Sequence, residues 1–284
     1  MTRAALLQLC ASDDPAANLP VTLGMVDAAA QCGVDLVMTP EVTNCVSTSR
    51  TRQIEVLATE DEDRTLKGLR NAAARHGVHI LIGSLALKTD DADGRFANRS
   101  FLIGPDGGIL ARYDKIHMFD VEISETESYR ESKGYRPGDR AVVVWTSIGV
   151  IGMTVCYDMR FPHLYRDLAR AGAEIMTVPS AFSPVTGAAH WEPLLRARAI
   201  ETGAFVLAPA QTGEHKASRG KTRSTYGHSL AVAPWGEVLA QAGEAPGVTL
   251  VDLDLDAVRQ ARARVPSLDH DRAYAPPEPD TPNR

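Results

Sequence analysis

Residues 149–178 read GVIGMTVCYDMRFPHLYRDLARAGAEIMTV, and this stretch decides the fold class. Gly149–Val155 is a short apolar run of strand type. Arg160–Ala171 has helical spacing, with Pro162 in its first turn and Gly172 just past its end, where helices accept proline and stop on glycine. Glu174–Val178 is a second buried strand. Strand, helix and strand in succession form the unit from which α/β proteins are built.

The alternation continues on both sides. Toward the N-terminus lie the strand Arg3–Leu9, the helix Asn18–Gln31 with Gly33 as its stop, the strand Val34–Met38, and the helix Thr65–Arg75 stopped by Gly77. Strands follow at Val78–Leu87 and Arg99–Ile103. The turn Pro105-Asp106-Gly107-Gly108 then sends Ile109–Tyr113 back as a hairpin partner. Residues 117–140 are polar and lack periodicity, which reads as a lid or pocket wall. Ala141–Trp145 is the strand before the opening stretch. Beyond that stretch come the helix His190–Thr202, the strand Ala204–Pro209, a hairpin of Gly227–Ala233 and Glu237–Ala240 around Pro234-Trp235-Gly236, and a last strand, Val248–Leu255. Hairpins mixed with strand–helix–strand units predict mixed sheets with helices outside. One α/β domain is expected over 1–272, with a proline-rich tail, 273–284, disordered or draped on a partner.

Composition narrows the function classes. The chain has 284 residues, 44% of them hydrophobic, which suffices for a sizeable core without disulfide or metal staples. Thirty Lys+Arg against 36 Asp+Glu give a net charge of −6, which disfavours a general nucleic-acid binder. Cys10, Cys32, Cys45 and Cys156 lie in no CxxC or CxxH pair, and read as reduced thiols of a cytoplasmic protein. The apolar start is short and broken by Gln8, so it is a first strand and not an export signal. No apolar run approaches ~18 residues, so no membrane span is expected.

Ligands of open α/β folds gather at strand ends. Three chemically useful residues stand there: Glu41 after Val34–Met38, Lys115 after Ile109–Tyr113, and Cys156 after Gly149–Val155. Taken singly, each has a plain alternative as a solvated carboxylate, a surface lysine or an inert buried thiol. The segments Thr39-Pro40-Glu41, Asp114-Lys115-Ile116-His117 and Gly152–Pro162, however, resemble the three signature blocks of the carbon–nitrogen hydrolase (nitrilase) superfamily. The resemblance runs from about Arg3 to about Arg272. It implies a four-layer αββα sandwich that dimerises through its outer helices. It also implies a catalytic Glu41–Lys115–Cys156 triad, with Glu131 as the second glutamate of many members.

The residue types suit that chemistry. A free thiol of pKa ~8.5 is only a few per cent ionised at neutral pH and needs a base. Lys115, with a reference pKa of ~10.4, is a poor one. Glu41 is the better base, and burial is expected to move it upward toward neutrality. Lys115 then supports the thiolate and the oxyanion, with the backbone N–H of Tyr157 as second donor. Glu131 is expected to position Lys115 or the attacked carbonyl. No metal or organic cofactor is required.

The second half resembles one branch of the superfamily, the deaminated-glutathione amidases related to the Nit domain of Nit–Fhit fusions. The residues carrying this are Ala171–Phe182, Thr186–Glu192, Leu194–Thr202 and Tyr226–Ser229. The branch implies hydrolysis of an anionic amide to α-ketoglutarate and cysteinylglycine. ω-Amidase, N-carbamoyl hydrolase and other small-amide activities are the alternatives, and a non-catalytic binding or redox-sensing protein is a third. Arg160 is the candidate for the keto-acid carboxylate, against a structural pairing with Asp158 or Asp167. Phe182, His190 and Trp191 are further substrate-binding candidates, His190 being either pocket wall or dimer interface. Lys216, Arg219, Lys221 and Arg223 form a basic cluster that could meet the glycine end, or a solvated loop. His76 and His79 read as surface or strand-edge residues, and His117 as a structural hydrogen-bonding partner.

Overall fold

All nine positions of His79–Leu87 are buried, which is why the run lacks polar alternation. The computed structural model describes residues 1–123 and 127–277. In chain order the first elements are β1 (Thr2–Gln8), α1 (Pro15–Ala30), β2 (Leu36–Met38), α2 (Arg50–Val56), α3 (Arg64–His76), β3 (His79–Leu87), β4 (Phe96–Ile103) and β5 (Ile109–Asp114). The middle of the chain gives β6 (Asp120–Glu122), β7 (Ser128–Arg130), β8 (Tyr135–Arg136), β9 (Val142–Thr146), β10 (Gly149–Met153), α4 (Pro162–Arg170) and β11 (Ile175–Thr177). The remainder is α5 (Pro184–Thr202), β12 (Phe205–Ala208), β13 (Thr212–His215), β14 (Arg223–Tyr226), β15 (Leu230–Val232), β16 (Val238–Gln241), β17 (Gly247–Leu253) and α6 (Asp256–Arg264).

Two mixed sheets result. The first has the order β17-β1-β2-β3-β4-β5, with β8 joined to β4; the second has the order β16-β15-β12-β11-β10-β9. Each has three parallel strands at its centre, β1-β2-β3 and β10-β11-β12, with antiparallel neighbours outside. The two-residue period of a strand divides its side chains between layers. Leu6, Leu36, Met38 and Leu81 join a core cluster with residues of the second sheet and of α4 and α5. Their neighbours Ala5, Leu7, Val37, Ile80 and Ile82 pack instead with α1 and α3 residues such as Val26, Leu66 and Leu69. The layers are therefore helix, sheet, sheet, helix, as the motifs implied.

Local chemistry sets the helix ends, and several differ from expectation. Asp14 caps α1 by accepting from Ala16 N–H, so the helix starts at Pro15 and not near Asn18. α5 starts at Pro184, six residues before His190. It runs through Gly187, where a Cβ would sit 2.3 Å from the Tyr226 ring. α2 and α6 were not expected, and residues 117–140 carry the β6–β7 hairpin rather than plain loop. Among the described residues no helix is long and apolar enough to cross a membrane. The expected tail is described as far as 277, and 278–284 lie outside the described residues.

His215 gives the fold a pH dependence. It is buried on β13, with Nδ1 2.7 Å from Ala11 O and Nε2 2.7 Å from Thr225 Oγ1. Burial above all lowers its pKa to about 4. The unfolded chain takes up this proton near pH 6.5, the folded one only near 4. Stability is therefore intact above about pH 6.5, falls between those values, and levels off below; the loss is about 3 kcal/mol. Urea midpoints at pH 7 and pH 4.5 are expected to differ more for the protein than for His215→Gln, and equal differences would refute the assignment.

Candidate active site

Cys156 sits where β10 turns into a single 3-10 turn, Cys156–Arg160, ahead of α4. Its φ is +50°, a left-handed conformation that a non-glycine residue holds only when its surroundings enforce it. Two contacts do so. Cys156 N–H donates to Pro179 O at 3.0 Å, and Val155 N–H donates to the Asp158 carboxylate at 2.9 Å. Asp158 is fully buried and also accepts from Tyr113 Oη (2.7 Å) and His117 N–H (3.0 Å), with His117 Nδ1 2.7 Å away. Tyr113 and His117 flank Lys115 by two residues on either side. One carboxylate thus ties the cysteine turn to the lysine segment, and His117 has the structural role expected of it.

Lys115 Nζ lies between two glutamates. It donates to Glu41 Oε1 at 2.9 Å and to Glu131 Oε2 and Oε1 at 2.8 and 3.0 Å. Asn98, across the β4–β5 hairpin, donates to Glu41 (2.9 Å) and Glu131 (3.2 Å) as well. Glu41 Oε2 accepts from Ala181 N–H at 2.8 Å, and Glu131 Oε2 from Phe119 N–H at 2.6 Å. Asn98 was missed in the sequence. Its only signal was a polar side chain in a buried strand that also carries Arg99 and Ser100, and buried polar groups must find partners.

The Glu41 turn has its own constraint. Val42 has φ +47°, unusual for a β-branched residue, and its N–H donates to Ser84 Oγ at 2.8 Å. A Cβ on Gly83 would lie 2.1 Å from Thr39 O and 2.4 Å from Pro179 Cβ. Gly83 therefore lets the glutamate turn and the segment that holds Cys156 approach each other. Gly83→Ala is expected to destabilise the protein by about 1–3 kcal/mol and to lower kcat. A thermal midpoint and kcat both unchanged would refute this.

The charges depart from expectation at one point. Burial pushes the Glu41 carboxyl up, but Lys115 and then Arg223 outweigh it and hold the pKa below the ordinary value. The expected rise toward neutrality is thus reversed, because the ammonium was left out of the balance. Burial first, and the Glu41 charge second, push the Cys156 thiol well up, with Lys115 opposing. Burial disfavours the Lys115 ammonium, yet Glu131 and Glu41 raise its pKa well above the usual value. The resting centre is a neutral thiol facing an ionised carboxylate beside an ammonium, so the carboxylate is ready to accept the thiol proton.

Glu41, Lys115, Glu131 and Cys156 line a cavity of about 500 Å³. Tyr157 and Phe182 line it too, with five cations besides Lys115: Arg50, Arg130, Lys133, Lys221 and Arg223. Arg160, His190 and Trp191 do not line it. Arg160 is 3.2 Å from His190 Nδ1, beside the rings of Tyr157 and Phe182, and pairs with neither Asp158 nor Asp167. His190 is exposed. Trp191 is buried, supports Phe182 at 5.2 Å between ring centroids, and donates to His228 O at 2.7 Å. His76 is 2.7 Å from Asp27, and His79 is buried in β3. Among the described residues no group of three or more His, Cys, Asp or Glu side chains could hold a metal ion.

Over residues 3–263 the chain matches the family model described as Carbon-nitrogen hydrolase. It is 41% identical to the Deaminated glutathione amidase of Yersinia enterocolitica, across 94% of this chain and 92% of that one. The C. elegans NitFhit protein superposes with a TM-score of 0.88 at 34% identity, covering 95% of this chain and 65% of that longer one. An amidase from Nesterenkonia sp., solved with acrylamide added to its active-site cysteine, gives 0.75 at 26% identity, across 93% of this chain and 98% of that one.

Proposed function

Because the chain belongs to the carbon–nitrogen hydrolase family, whose members cleave non-peptide C–N bonds, we propose that it hydrolyses the amide of deaminated glutathione, giving α-ketoglutarate and cysteinylglycine. The observation that carries the reading is the convergence of Glu41, Lys115, Glu131 and Cys156 in one cavity with cations on its wall. An anionic amide suits such a wall, and the similarity to deaminated glutathione amidases supports the substrate.

In the first half-reaction the Cys156 sulfur attacks the amide carbon while its proton passes to Glu41. The oxyanion is held by Lys115 and the Tyr157 N–H. As the intermediate collapses, the C–N bond breaks, Glu41 gives the proton to the leaving nitrogen, and a thioester remains. In the second, Glu41 takes a proton from water, whose oxygen attacks the thioester; the sulfur leaves and recovers that proton. Glu131 and Asn98 hold Lys115 and Glu41 in place throughout.

The reading includes a cytoplasmic homodimer. Four free thiols support the compartment, and the exposed Val185 and Ile200 of α5 support association through outer helices. The test is hydrolysis of deaminated glutathione beside α-ketoglutaramate, with both products quantified by mass. Release of cysteinylglycine is expected. Turnover of α-ketoglutaramate without it would overturn the substrate in favour of ω-amidase.

A further inference from the structure

The β13–β14 connection, residues 216–222, is pinned to the body of the protein. Asp13 accepts from the Ser218 N–H and hydroxyl, both at 2.7 Å. Thr48 Oγ1 donates to Lys221 O at 2.7 Å, and Arg219 pairs with Glu55 at 3.5 Å. This anchoring sorts the basic cluster: Lys221 and Arg223 line the catalytic cavity, whereas Lys216 and Arg219 do not. Arg223 donates to Ala181 O and lies 5.6 Å from the centre of the Tyr129 ring. Its Nε is buried and has no hydrogen-bond partner among the described residues. Arg223 lines the cavity together with Lys221, and a guanidinium there is a place for an acceptor that arrives with a ligand.

We propose that Lys221 and Arg223 form a subsite for a carboxylate on the leaving half of the substrate, so that the enzyme selects amides whose amine product ends in a carboxylate. This rests on the amidase reading above. The side of the cavity follows from the chemistry. Glu41 hands its proton to the leaving nitrogen, so the leaving half lies on the Glu41 side. Arg223 is on that side, because the same residue, Ala181, donates its N–H to Glu41 Oε2 and accepts from Arg223 at its carbonyl oxygen. In cysteinylglycine the carboxylate lies six bonds from the scissile carbon, roughly 7 Å when extended, a reach that a cavity of this size accommodates. A guanidinium suits a carboxylate geometrically, and an ammonium beside it adds charge. An amide that leaves as ammonia has nothing to place there.

The test compares deaminated glutathione with its glycinamide analogue, in which the terminal carboxylate is an uncharged amide. The unmodified enzyme is expected to favour the acid by roughly tenfold or more in kcat/KM, mainly through KM. In Arg223→Gln the preference is expected to collapse to about threefold or less, and in Arg219→Gln, outside the cavity, to persist. Equal kcat/KM for acid and amide in the unmodified enzyme, a comparison that needs no variant to fold, would overturn the subsite alone. So would a full preference retained by Arg223→Gln. Turnover of neither compound would overturn the substrate reading and the subsite with it.

Discussion

Cys156→Ala is expected to fold as the parent does and to lose activity by about 10⁴-fold or more, at least about 5 kcal/mol of transition-state stabilisation. In the proposed reaction the sulfur supplies the covalent bond, and no other cysteine can stand in: Cys10 and Cys32 are exposed and do not line the cavity, and Cys45, although on the cavity wall, has Asp13, Asp14 and Arg52 as its charged neighbours instead of Glu41 and Lys115. The backbone around position 156 is held by Pro179 O and by Asp158, neither of which needs the thiol. The measurement pairs thermal unfolding with the mass of protein quenched during turnover. An acyl adduct is expected in the parent and none in the variant. Substantial turnover by Cys156→Ala would remove Cys156 from the mechanism.

Glu41→Gln is expected to lower kcat/KM by about 10²–10⁴-fold, the range for losing a general base. Geometry adds a structural penalty. Oε1 accepts from Lys115 and Asn98 while Oε2 accepts from Ala181 N–H, so an amide must point its NH₂ at a donor on one side or the other. That mismatch costs about 1–3 kcal/mol of stability. The pH profile separates the two effects. Because Lys115 and Arg223 outweigh burial and hold the Glu41 pKa below its ordinary value, the base stays ionised as pH falls. The acid limb of kcat/KM is therefore expected below the usual carboxylate range of about 4. A limb rising through pH 6–7 would show that the thiol proton goes elsewhere.

The placing of Glu41, Lys115 and Cys156 at strand ends was legible because each closes a short apolar run. Glu131 was legible only through its motif, since its surroundings have no periodicity; its position depends on Phe119 N–H and Lys115, contacts no local pattern encodes. The Glu41 charge was misread for a similar reason: burial can be guessed from a strand end, but the two cations facing it come from positions 115 and 223. Arg160 was close to Cys156 in sequence but outside the cavity lining, because the 3-10 turn carries it toward His190. The start of α5 was hidden by Gly187, which weakens helical propensity yet is required where Tyr226 packs. The sheets themselves were legible in kind, mixed and covered by helices, though not in strand order.

The pairing of β1 with β17 joins Thr2 to Leu253 across almost the whole chain. During synthesis β1 emerges first and waits beside β2 with one edge bare until β17 arrives. Gln8, at the end of β1, likewise finds Ser229, Gly243 and Ala245 only late. Contacts so distant in sequence close slowly, and an unpaired edge is prone to wrong partners while it waits. The partners of Glu41 arrive in the same order: Lys115 early, Ala181 and Gln211 late. The nascent protein therefore carries Glu41, Lys115 and Cys156 before it carries all the contacts that hold Glu41 in place, and the proposed chemistry waits for the later strands.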